Sequence, residues 1–308
     1  MKKSTPTFIM ITLLALSLLL EPAADAAFPG ANGKIAFGNN GKRSNDIWVV
    51  DHGSGGKQRL TRTKLANEAM PDWNAAGTQI AYTKCGRNQF SNCDIWVMNA
   101  DGSEKTRLTS TTQPDPISPN VQETWPTWSP DGTMIAYTSN AEDIFQDIWV
   151  MNADGTNQTR LTVNAAFDAF PEWSPDGTKI AFTSDRDEVD DIWVMDADGT
   201  DPVRLTSGQG VDERPDWSPD GARIVFSRGG RNIWMMNADG TDLTKLTDTR
   251  RLKFAPAFSP DGERITFNQS GKDDRFGVWT MRADGSKRKQ LTFGRFDFFP
   301  DWQPLVDG

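Results

Sequence analysis

One motif recurs from just after the N-terminus to the last residues of this 308-residue chain. Its clearest copy runs from Phe170 to Thr206, FPEWSPDGTKIAFTSDRDEVDDIWVMDADGTDPVRLT. Self-similarity at a period of roughly forty to fifty residues dictates a repeat architecture, in which each unit buries its apolar face against the next. Each copy has four parts. A Pro-x-Trp segment ends in Ser-Pro-Asp-Gly (Pro171 to Gly177), and a short apolar run follows (Lys179 to Phe182). After a variable stretch comes Asp191-Ile192-Trp193-Val194-Met195, and past an Asp-Ala-Asp-Gly turn comes Arg204-Leu205-Thr206. The apolar pieces are short, rich in Ile, Val, Phe, Trp and Thr, and bounded by Pro, Gly, Asp and Asn, so they read as strands. Pro-Asp-Gly and Ala-Asp-Gly put glycine where a hairpin turn needs a positive φ. Four antiparallel strands joined by tight turns make one propeller blade.

The third element counts the blades. Its tryptophan appears at Trp48, Trp96, Trp149, Trp193, Trp234 and Trp279, which predicts six. The first element recurs at Trp73, Trp128, Trp173 and Trp217, with Phe258 in the same place, and at Trp302. Of the 12 tryptophans only Trp125 falls outside these two positions, so the residue type is spent on packing between blades. The first unit, from Phe28-Pro29, lacks the Trp-Ser-Pro-Asp-Gly element, whereas the chain finishes on a lone first element, Phe299 to Pro304. The C-terminal strand is therefore expected to complete the N-terminal blade and close the ring, removing exposed sheet edges. On this count one all-β, six-bladed propeller fills residues 27–308.

Residues 1–26 differ in kind. Lys2 and Lys3 precede an apolar run from Phe8 to Leu20, and Ala24-Asp25-Ala26 supplies small residues for cleavage. This is the pattern of a secretory signal peptide, and an uncleaved N-terminal anchor is the rival. Cleavage near Ala26 would place the protein in the periplasm or outside the cell, with no stable membrane insertion. It removes two basic and two acidic residues, so the net charge stays at −9. A surface of that sign repels nucleic-acid phosphates and argues against such a partner. The two cysteines, Cys85 and Cys93, lie in one variable segment. In an exported protein this spacing favours a disulfide, with a free thiol pair or a metal site as alternatives.

The motif PxWSPDGxxIAFxS…DIWVMNADGTxxxRLT resembles the WD40-like PD40 repeat of TolB-type six-bladed propellers, and the resemblance covers residues 28 to 304. It implies that fold and a habit of binding proteins. Periplasmic TolB proteins carry an α/β domain before the propeller, and this chain goes from its leader directly into the first blade.

Both invariant turns lie on one face of such a ring, and the variable connections lie on the other, where binding residues concentrate. Three residues before the repeat proline sit Glu68, Glu123, Asp168, Asp212, Lys253 and Asp297. Blade geometry predicts that they start the innermost strands around the channel mouth. There five carboxylates would focus a negative potential suited to a basic peptide or a cation. Alternatively each acid caps the backbone of its own turn. Trp125, Phe170, Arg214, Phe254, Phe298 and Phe299 are their aromatic and basic neighbours, suited either to peptide docking or to the core. The aspartates before Ile-Trp and the arginines before Leu-Thr read as internal hydrogen bonds. Asp185 to Asp191 is rich in carboxylates but lacks the spacing and turn glycine of a calcium loop, which leaves a solvated acidic loop.

Catalytic signatures are sparse. The only histidine is His52, on the invariant-turn face, and no Gly-x-Ser-x-Gly elbow occurs. One histidine cannot supply a His-rich metal site. Paired carboxylates for glycoside cleavage at the channel mouth stay open. The sequence thus predicts a monomeric, non-catalytic propeller, without metal or other cofactor, that binds a protein or peptide at its variable face. The alternative is a carbohydrate-binding or carbohydrate-cleaving propeller of the cell envelope.

Overall fold

A computed structural model describes residues 31–305, apart from 42–43, 65, 87–91, 111–120, 143, 209, 272 and 274. The predicted leader, Phe28-Pro29, the tip of the cysteine loop, most of the 110–125 connection and Asp143 lie outside the described residues.

Six four-stranded antiparallel sheets form the blades of a propeller. In blade 4 the strands are Asp168–Trp173, Lys179–Ser184, Asp191–Asp196 and Val203–Arg204, in that order from the channel outwards. Phe182 pairs with Trp193, and Trp193 with Arg204. Outer strands of two or three residues keep the exposed edge too short to recruit another chain. The C-terminal strand Asp297–Leu305 is the inner strand of blade 1, paired with Ala31–Asn40 through Ile35 opposite Trp302 and Ala36 opposite Asp301. The ring closes as the lone last element predicts.

Repeated residues have repeated reasons. In the Ser-Pro-Asp-Gly turn of blade 4, Ser174 Oγ donates to Asp176 at 2.6 Å and accepts from the Lys179 amide at 2.9 Å. Asp176 also accepts the Thr178 amide at 3.0 Å, and Gly177 sits at φ 68°. The glycine of the second turn answers two demands. Gly155 has φ 86°, and a Cβ there would stand 2.6 Å from the Leu108 carbonyl of the preceding blade. The hydroxyl of the Leu-Thr threonine performs the same task throughout, as an acceptor. Thr61, Thr109, Thr162, Thr206, Thr247 and Thr292 each accept the backbone amide of the residue before the third-strand tryptophan.

The core is divided among the blade interfaces. One cluster joins Ala136, Ile148 and Val150 of blade 3 to Trp173, Ile180, Phe182 and Met195 of blade 4. Each blade thus contributes its two faces to two separate cores, and no blade has a core of its own. The aspartate before Ile-Trp pairs with the arginine before Leu-Thr, as Asp46–Arg59 (2.6 Å), Asp94–Arg107 (2.7 Å) and Asp147–Arg160 (2.6 Å). Where the acid is replaced, by Asn232 and Gly277, the arginine is replaced too, by Lys245 and Gln290. Cys85 and Cys93 form a disulfide between facing residues of the second and third strands of blade 2.

Candidate functional site

Every inner strand carries the same irregularity. An extra residue is inserted in the ladder just before the repeat proline, between Ala169 and Glu172 in blade 4 and at matching points in the other blades. The inserted residue, Met70, Trp125, Phe170, Arg214, Ala255 or Phe299, adopts φ between 49° and 58°. This left-handed conformation costs a residue with a Cβ about 1–2 kcal/mol. It persists because the preceding blade holds the amide. Thr83 Oγ1 accepts from Trp125 N (3.2 Å), Thr138 from Phe170 (3.1 Å), Thr183 from Arg214 (3.1 Å) and Asn268 Oδ1 from Phe299 (2.8 Å). The bulge breaks the strand alternation and turns one side chain per blade onto the central axis.

These side chains meet across the channel. Trp125 packs edge to face on Phe170 and Phe299, with centroids 4.7 and 4.6 Å apart. The Arg214 guanidinium lies 4.6 Å from the centroids of both Trp125 and Phe170, 5.1 Å from Phe299 and 5.6 Å from Phe254. Burial lowers its pKa to about 10, so it stays cationic at neutral pH. Among the described residues no carboxylate is within ion-pair distance of it, and its buried Nε has no hydrogen-bond partner.

On the variable-loop side of this layer opens a funnel of about 490 Å³. Met70, Arg214 and Phe299 form its floor, shared with the channel beneath. Leu252, Phe254 and Phe298 make an apolar wall, and Asn40, Asn45, Asn67 and Glu213 supply polar groups. On the other side lie four carboxylates, Asp72, Glu172, Asp216 and Asp301, one per blade in the x of Pro-x-Trp. Each ties its blade to a neighbour. Asp301 accepts Trp73 N (2.7 Å), Asp72 accepts Trp128 N (2.8 Å), Asp216 accepts Phe258 N (2.7 Å), and Glu172 accepts the Thr127 hydroxyl (3.2 Å). Burial, reinforced in Asp72, Glu172 and Asp216 by neighbouring acids, raises these pKa values well above the carboxylate range. Burial pushes Asp301 up to about 7.

The six residues predicted to ring the mouth do start the inner strands, but their side chains are buried and engaged within the propeller. Asp212 makes two 2.6 Å bonds to Arg228, and Asp168 binds Arg186 at 3.0 Å and Asn164 at 2.8 Å. Glu68 meets Lys84 at 3.3 Å and Asp297 meets Lys57 at 3.4 Å. Lys253 donates to Arg231 O (3.2 Å), Arg251 O (3.0 Å) and Thr249. Glu123 bonds Thr109, and burial raises its pKa to about 7. None of the six lines the funnel. Their partners are mostly cations elsewhere in the blade, so the acids form no open negative ring, and Asp297 also accepts the Gly294 amide of its own turn (3.1 Å). Of the neighbours named with them, Trp125 and Phe170 belong to the axial layer, Arg214 and Phe299 to its floor position, and Phe254 and Phe298 to the funnel wall. In the acidic loop, Asp185 accepts the Phe167 amide (2.7 Å) and Asp187 pairs with Arg204 (2.6 Å). Among the described residues no three His, Cys, Asp or Glu side chains are placed to share a metal ion. His52 packs against Trp302 at 5.3 Å, on the invariant-turn face.

Sequence comparison matches residues 143–231 to the Tricorn protease N-terminal β-propeller domain. No curated protein matches the chain. Among solved structures, a putative TolB from Agrobacterium tumefaciens aligns over 89% of this chain and 91% of its own, at 23% identity and a TM-score of 0.68. TolB from Acinetobacter baumannii aligns over 88% of this chain and 67% of its own, at 21% identity and TM-score 0.74. Hydrazine synthase of Kuenenia stuttgartiensis aligns over 91% of this chain but only 48% of its own, at 15% identity and TM-score 0.71. The protein is a six-bladed propeller of TolB-like fold, a fold that these neighbours use in different contexts.

Proposed function

We propose that this protein is an exported, non-catalytic propeller that binds a segment of a protein or peptide partner at its variable-loop face, with the funnel as the docking point. The observation that carries this is the funnel itself, an aromatic wall over a cationic floor, of a size typical of ligand clefts at about 300–1,000 Å³. It opens on the face whose connections differ from blade to blade, while the repeated turns are spent on construction. Arg214 and Phe298 are the binding residues in this proposal, and Trp125 and Phe170 hold Arg214 from the layer beneath. Glu68, Glu123, Asp168, Asp212, Lys253 and Asp297 are buried within the blades and present no surface to the funnel. Export rests on the leader at residues 1–26, and its acidity argues for a partner other than nucleic acid. Its TolB-like fold supports a cell-envelope setting and a monomeric scaffold. Non-catalysis rests on chemistry, since the single histidine packs against Trp302, on the face opposite the funnel.

The experiment is capture from a native envelope extract by wild type and by Phe254→Ala/Phe298→Ala. Loss of the captured protein in the double variant, with melting within a few degrees, supports the reading. Equal capture refutes the funnel, and turnover of an envelope polysaccharide by the pure protein refutes the non-catalytic assignment.

A further inference from the structure

Arg214 is out of place by the logic of its own repeat. At the same bulge the other five blades put Met70, Trp125, Phe170, Ala255 and Phe299, so the scaffold has no need of a cation there. Elsewhere buried or half-buried cations have acceptors for their N–H groups, carboxylates for Arg228 (Asp212), Arg186 (Asp168) and Lys84 (Glu68), and backbone carbonyls for the buried Lys253. Arg214 has aromatic rings instead. Rings satisfy the faces of a planar guanidinium but not the N–H groups on its edge. A desolvated cation with unmet donors, on the floor of a cavity open to the outside, calls for an anionic acceptor. A second group in the same funnel lacks a partner of the opposite kind. Asn45 Oδ1 is buried with nothing donating to it, and Glu213 also lies on the wall without an ion pair among the described residues.

We propose that the funnel recognises a terminal α-carboxylate bonded to Arg214, with the adjacent N–H donated to Asn45 or Glu213 and an apolar side chain against Phe254 and Phe298. That chemistry belongs to the C-terminal residue of a polypeptide and to a free N-acyl amino acid. The funnel suits a chain end because Trp125, Phe170 and Phe299 meet beneath it, and an internal segment would have to turn and leave by the way it entered. The proposal rests on the reading of the funnel as the docking point.

The test is calorimetric titration of the mature protein with a tetrapeptide ending in phenylalanine, its C-terminal amide, and N-acetyl-phenylalanine. The free-acid peptide should bind about tenfold or more tightly than its amide, the loss expected when a hydrogen bond to a charged group is removed. Arg214→Met should abolish that discrimination while melting at or above wild type, since Met70 already occupies this conformation in blade 2. Arg214→Lys, which keeps the charge but not the fork, should retain part of it. N-acetyl-phenylalanine binding as tightly as the peptide assigns the small acid, and binding only by the peptide assigns the chain terminus. Equal affinity of acid and amide, or no binding of any probe at millimolar concentration, overturns the proposal. Partner capture separates the two levels. Capture lost in Phe254→Ala/Phe298→Ala but unchanged in Arg214→Met leaves the funnel standing and removes the carboxylate.

Discussion

The carboxylate layer under Arg214 makes the stability of this protein depend on pH in an unusual direction. Asp301 in the folded chain holds its proton up to about pH 7, because burial disfavours the anion, whereas the unfolded chain releases it near 3.8. Between those values the folded state binds more protons than the unfolded state, so its stability falls as pH rises. A shift of this size is worth about 4 kcal/mol at pH 7 and above. Solvent reaches the layer from the invariant-turn face, so about 2 kcal/mol is the working figure. Asp301→Asn keeps an oxygen to accept the Trp73 amide and presents its NH₂ group to the neighbouring acids. It removes a charge that raises the pKa of Asp72, Glu172 and Asp216 as well. The variant should match wild type near pH 4 and gain on it up to pH 8. For a domain of this size the gain corresponds to roughly 4–8 °C in Tm. The difference between the two proteins is the quantity to measure, by calorimetry or circular dichroism at half-unit steps. Turn aspartates such as Asp220, held low by a hydrogen bond from Ser218, pull the other way in acid but are common to both. Parallel curves across the range would refute the placement of a raised carboxyl at Asp301.

Other consequences are simpler to read. Gly132→Ala, at φ 69° with open space around it, should cost about 1 kcal/mol, and Gly155→Ala should cost clearly more because its Cβ meets the Leu108 carbonyl; equal losses in urea unfolding would refute the close approach. Asp212→Ala leaves Arg228 half-buried without its partner and should cost about 3 kcal/mol of unfolding free energy, without altering the affinity of any funnel ligand; unchanged melting would show the pair to be idle. Asp168→Lys sets like charge against Arg186 and should lower Tm in the same way, whatever happens to partner binding. Truncation after Gln290 removes the inner strand of blade 1 and should lower Tm by tens of degrees, roughly in proportion to the lost interface; an unchanged Tm would refute closure by that strand.

The blades, their number and the closing strand were legible because they depend on residues that recur at fixed spacing. A glycine after Pro-Asp or Ala-Asp, a tryptophan in the third strand and an unaccompanied first element each have one structural meaning, and six copies average out the exceptions. The site was less legible because it turns on a single inserted residue. Strict alternation places Asp168, Phe170 and Glu172 on one face of their strand, which makes Asp168 look like a channel residue. The bulge undoes this. With Asp168 opposite Ser184 and Trp173 opposite Ile180, the acid joins Trp173 and Phe182 on a face buried against a neighbouring blade, and Phe170 and Glu172 are left on the channel. Pro171 was the available signal, since a residue that cannot donate to the ladder marks an irregular edge. The cations that neutralise the buried acids gave no such signal. Lys84, Arg186 and Arg228 follow their acids by 16, 18 and 16 residues, and Lys57 reaches Asp297 from the opposite end of the chain. The four deeper carboxylates were hidden for the same kind of reason, because the x of Pro-x-Trp holds Thr127 and Ala257 in two blades and so does not read as a repeated acid. Arg214 stands apart from all of these. The other blades put uncharged residues at its position, and aromatic rings rather than a carboxylate surround it among the described residues, so no rule of the repeat anticipates it.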